Sequence, residues 1–75
     1  MGTMDKEAAK RVSEFVLKAS GELDESVAFV RDNCSEAEFL AHRESVGRVM
    51  NDLWMSILKP IYSEHPDLEP EGLKE

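Results

Sequence analysis

The stretch SEAEFLAHRESVGRVMNDLWMSILKPIY, Ser35 to Tyr62, decides the fold. Ser35 and Glu38 form a capping box, in which the hydroxyl and the carboxylate each accept a hydrogen bond from the other's backbone amide. Glu36 and Glu38 in the first turn also complement the positive end of the helix dipole. Beyond them Phe39, Val46, Val49, Met50, Leu53, Trp54, Ile57, Leu58 and Ile61 recur at helical spacing. Pro60 has no amide to offer the carbonyl of Ser56, so the helix is expected to bend or loosen there without having to stop. Pro66 is the firmer boundary. The stretch reads as one long amphipathic helix over about 36–63.

Two shorter helices are expected before it. Over about 4–20, Met4, Ala8, Val12, Phe15, Val16 and Ala19 mark one helical face, with Leu17 off it. Thr3 or Asp5 suits the N-cap, and Gly21 suits a left-handed C-terminal position. Over about 24–33, Leu23, Val27, Val30 and Cys34 form a narrow apolar line, with Asp24 as its cap, Asn33 as its terminator and Phe29 pointing away. So short a helix has to dock against something. Met1–Thr3 reads as a leader, and residues 64–75 as an acidic, proline-containing extended tail that Leu68 and Leu73 can pin to the body. The expected class is all-α, a single domain over 4–63 with two shorter helices and one long C-terminal helix.

The apolar arc of the long helix is wide. Phe39, Val46, Met50, Leu53 and Ile57 mark its centre, while Leu40, Trp54, Leu58, Ile61 and Tyr62 extend one side. Such an arc exceeds the stripe of roughly 100° that faces a single core. Two helices of the same chain can cover it, or one helix and a second copy. The off-stripe Leu17, Phe29 and Met55 favour the second copy, because a contiguous apolar patch on a monomer needs a partner. The bundle is therefore expected to be completed by homodimerisation, through Leu17, Phe29, Leu40, Gly47, Met50, Trp54, Met55, Leu58 and Tyr62. Gly47, costly within a helix, is read as a packing notch beside Trp54 and Leu58. Arg43 falls in the apolar stripe, where it must snorkel or meet a carboxylate.

Composition narrows the functional classes. Sixteen carboxylates oppose 9 Lys and Arg, a formal net charge of −7. The cations form no basic run, which disfavours nucleic acid and anionic membranes, since phosphate binding rests on clustered cations. No apolar run approaches the roughly 18 residues of a membrane span. No secretory segment is visible, and one cysteine cannot make an internal disulfide. A cytoplasmic protein is expected.

The chemistry-bearing residues are few. Glu38 and His42, one turn apart, offer two metal ligands where zinc sites use three or four. His65-Pro66-Asp67 reads as a helix-ending turn. Cys34, on an apolar line, reads as a buried, inert thiol. No phosphate loop, nucleophile elbow or paired cysteine motif occurs. The outline of a helix-turn-helix at Asn33–Ser35 fails because Glu36 and Glu38 would point negative charge at the groove. Neither an enzyme nor a cofactor or metal site is expected. The leading expectation is a protein–protein interaction or assembly module acting as a homodimer. The alternatives are a small acidic regulator of a basic protein surface, and a helical bundle binding a small molecule near Trp54.

Overall fold

A computed structural model describes residues 4–70. They are almost entirely helical, with no strand among them. Helix α1 spans Lys6–Asn33, α2 spans Glu36–Leu53, a π turn follows at Trp54–Leu58, and α3 spans Lys59–Glu64. A 3-10 turn at Pro66–Leu68 ends the described chain. α1 packs antiparallel against α2 and its continuation, making a helical hairpin of 45 × 23 × 22 Å.

The two short helices expected before Asn33 are one helix of 28 residues. Asp5 caps it, its carboxylate accepting from the Ala8 amide at 2.8 Å. Gly21 does not terminate it, because no described glycine has a positive φ, and Asp24 is an interior residue. The reason lies in the phase of the inner face. Ala9, Ser13, Val16, Ser20, Leu23, Val27 and Val30 follow one another at three- and four-residue steps. Val16 of the first apolar line and Leu23, Val27 and Val30 of the second thus lie on a single stripe, and a break at Gly21 would separate halves that bury against the same partner. Packing along this stripe outweighs the roughly 1 kcal/mol that glycine costs a helix interior.

This inner face also differs in rotation from the expected one. Ala9, Ser13 and Val16 are buried, whereas Met4, Ala8, Phe15 and Ala19 are exposed. The inner face carries serines that an apolar pattern skips. Ser13 is tolerated there because its hydroxyl shares a hydrogen bond of 2.5 Å with the Tyr62 hydroxyl from the facing helix. A buried hydroxyl with a partner escapes the desolvation penalty of an orphaned one.

The hairpin turns at Cys34 and Ser35. Cys34 donates its amide to the Val30 carbonyl, and Asn33 Nδ2 donates to the Phe29 carbonyl. The capping box forms as read: Glu38 N donates to Ser35 Oγ at 3.1 Å and Ser35 N donates to Glu38 Oε1 at 3.0 Å. The Ser35 backbone amide first, and the Ser35 hydroxyl after it, hold the Glu38 carboxyl below its ordinary range.

The expected long C-terminal helix is not a single α-helix. α2 lies mid-chain and ends at Leu53, and Pro60 accounts for the change. Lacking an amide, Pro60 cannot bond to Ser56, and its ring crowds that carbonyl. The preceding turn widens instead: Lys59 N donates to the Trp54 carbonyl, five residues back. Widening rotates the following residues, so that Leu58, Ile61 and Tyr62 join the inner face. They bury with Ala9 and Val16, while Val12, Leu53, Trp54, Ile57 and Leu68 pack around them. Fully burying one such side chain stabilises by about 1.5–3 kcal/mol.

Residues 65–70 are not an extended tail. His65 Nε2 donates to the Met4 carbonyl at 2.9 Å, Asp67 pairs with Lys6, and Leu68 packs on the core. They form a strap across one flank of the hairpin's open end. Met1–Thr3 and Leu73, with the rest of 71–75, lie outside the described residues.

Candidate interaction surface

A hairpin of two helices is one layer thick. Each helix buries only the stripe facing its neighbour, and both flanks stay open unless another segment covers them. The strap covers the lower part of one flank, where an open groove of about 490 Å³ lies between Lys6, Lys10, Leu17 and the strap's Leu68. Nothing among the described residues crosses the opposite flank.

The residues expected at an interface divide into three groups. Leu58 and Tyr62 lie in the chain's own core and cannot face a partner. Met50 and Trp54 are half-buried, the Trp54 ring tilted against Tyr62 with centroids 5.9 Å apart. Leu17, Phe29, Leu40, Gly47 and Met55 are exposed. A Cβ added at Gly47 meets nothing within 4 Å, so Gly47 is not a packing notch within the chain. The same holds at Gly21. Among the described residues Arg43 meets no carboxylate; its guanidinium lies over the Phe39 ring, 5.5 Å from the centroid.

Three exposed residues were hidden by the apolar pattern. Phe15 is 60% exposed, Val49 49% and Met4 42%. All three fit a helical apolar stripe, and only the facing helix reveals which side of that stripe is turned inward. The clue available in sequence was Ser13, whose place between Ala9 and Val16 marks the true inner face.

The chemistry-bearing groups are engaged structurally. Ser26 Oγ donates to the Leu23 carbonyl at 2.6 Å, which leaves the oxygen to accept from His42 Nε2 at 2.9 Å. With its proton committed to a carbonyl, the serine is not activated by the imidazole. The pair is a polar clip between α1 and α2. Cys34, expected to be buried, is exposed at the turn, because α1 ends one residue before it and its extended backbone leaves the apolar line. His65 and Asp67 are held in the strap, where the Lys6 hydrogen bond chiefly keeps the Asp67 carboxyl below its ordinary range. Among the described residues, no three His, Cys, Asp or Glu side chains are grouped to hold a metal. A shallow depression of about 130 Å³ adjoins Trp54, bounded by Lys59, Tyr62, Ser63 and Glu69. No described helix is long and apolar enough to cross a membrane.

Comparison with known proteins adds no relative: no family model, curated protein or solved structure matches the chain.

Proposed function

We propose that this protein is an interaction and assembly module that acts as a homodimer of helical hairpins. One observation carries the reading. Among the described residues, the buried hydrophobics are Ala9, Val16, Val46, Leu58, Ile61 and Tyr62, while Met4, Phe15, Leu17, Phe29, Leu40, Val49 and Met55 stand exposed. A chain that leaves more large hydrophobics exposed than it fully buries has further apolar surface to satisfy. The shape agrees with this reading. The radius of gyration is 14.8 Å, against about 11 Å for a compact domain of this length. A second hairpin would complete a four-helix arrangement of ordinary thickness.

Sedimentation equilibrium at micromolar concentration tests the proposal. A species of twice the 8.5 kDa chain mass, persisting in high salt, is expected of an apolar interface. A single 8.5 kDa species throughout would overturn it.

A further inference from the structure

Because α1 runs unbroken, it carries one continuous outer row on the flank away from the strap, which reaches it only at the Met4 carbonyl. Met4 stands just before the helix, and Arg11, Phe15, Ala19, Glu22 and Phe29 follow, each three, four or seven residues from the last and so on one side. All are exposed, and Phe15 and Phe29, at 60% and 64%, are the most exposed of the large hydrophobics described. The row spans about 38 Å at 1.5 Å per residue.

The row is complementary to itself when turned end for end. Phe15 and Ala19, a large and a small side chain, stand either side of Leu17. Arg11 and Glu22, of opposite charge, are nearly equidistant from the same point. Met4 and Phe29, both apolar, close the two ends.

We propose that a second copy of this chain covers this row, its α1 lying antiparallel across a twofold axis level with Val16 and Leu17. The inference rests on the homodimer reading and assigns it a face. In this arrangement Phe15 seats on the partner's Ala19, Arg11 reaches the partner's Glu22, and Met4 meets the partner's Phe29. Each contact occurs twice, as an isologous interface requires. Arg11 already lies over the Phe15 ring, 5.0 Å from its centroid. It therefore stands beside the contact it would extend.

A further observation favours this occupant. The row carries one cation and one carboxylate, in a chain of net charge −7. Two acidic copies meet with least repulsion where their charges balance and alternate. The opposite flank is obstructed at its lower end by the strap, so no second hairpin can lie along its whole length.

Charge reversal of the full-length chain tests the pairing. Arg11→Glu and Glu22→Arg change exposed side chains, so each variant should keep the wild-type circular dichroism. Each alone sets like charges opposite one another twice and should weaken self-association about tenfold or more. Mixed in equal amounts, the two variants restore both pairs and should form a heterodimer near wild-type affinity. A dimeric wild type with single variants that associate as tightly, or with a mixture that does not recover, would overturn this face while leaving the homodimer reading intact. A wild type that stays at 8.5 kDa would overturn both.

Discussion

The two ends of the hairpin solve the same packing problem with different means. At the end where the strap meets Met4, α1, the π turn with α3, and the strap converge. There Ala9, Val16, Leu58, Ile61 and Tyr62 are buried. At the turn end only α1 and α2 face one another. Leu23, Val27, Val30 and Phe39 are half-buried there, and Phe29, Leu40 and Cys34 are exposed. Two facing helices make a seam, and a third segment is needed to turn a seam into a core. The strap supplies it at one end, and the proposed second copy supplies it along the bare flank.

The sharpest way to break this contrast is to truncate one leucine at each end. Leu58→Ala should cost about 2–5 kcal/mol and leave the chain largely unfolded. Leu40→Ala, at an exposed site, should stay within about 0.5 kcal/mol. Thermal melts followed by circular dichroism compare them, and equal losses would erase the distinction. Next in size is the buried hydroxyl pair. Tyr62→Phe leaves Ser13 Oγ without its partner at a cost of about 1–3 kcal/mol. Adding Ser13→Ala should recover part of that loss in a double-mutant cycle, because neither side then holds an orphaned group.

At the turn end the capping box is the corresponding device. Ser35→Ala should cost about 1 kcal/mol, seen as a lower midpoint in urea and faster amide exchange in the first turn of α2. The smallest effect concerns pH. Asp67 has its folded pKa depressed by Lys6. Its contribution is therefore present above the ordinary aspartate pKa and is lost as the pH falls through the lowered folded value. Asp67→Asn should make acid unfolding slightly less steep in that window. The carboxylate is exposed, so the change should be small. A large one would mean that the strap bears more of the fold than its exposure suggests.

How much of this could be read from residues alone varies with the feature. The capping box at Ser35 and the disturbance at Pro60 were legible, because each rests on local backbone chemistry. The all-helical class was legible from spacing. The continuity of α1 was not: Gly21 resembles a stop, and only burial against a common partner carries the helix through it. The rotation of α1 was hidden because Ser13 and Ser20 occupy its inner face, and a polar residue inside shows only when its partner, Tyr62, is in place. For the same reason Phe15 passed for a core residue, whereas Leu58, expected at the dimer interface, is buried for another reason. The π turn moved Leu58 inward, and no apolar periodicity anticipates a change of register.

The antiparallel seam makes a direct geometric claim that the chain's only cysteine can test. Cys34 is exposed at the turn, away from the proposed contact. A nitroxide attached there in each copy should lie about 50 Å from its mate, since Cys34 is about 26 Å along α1 from the axis. Pulsed dipolar spectroscopy of the labelled dimer should give a distribution centred near that distance. A separation of about 25 Å or less would place the two turns side by side, and no dipolar coupling would leave the hairpin alone; either result would contradict the account.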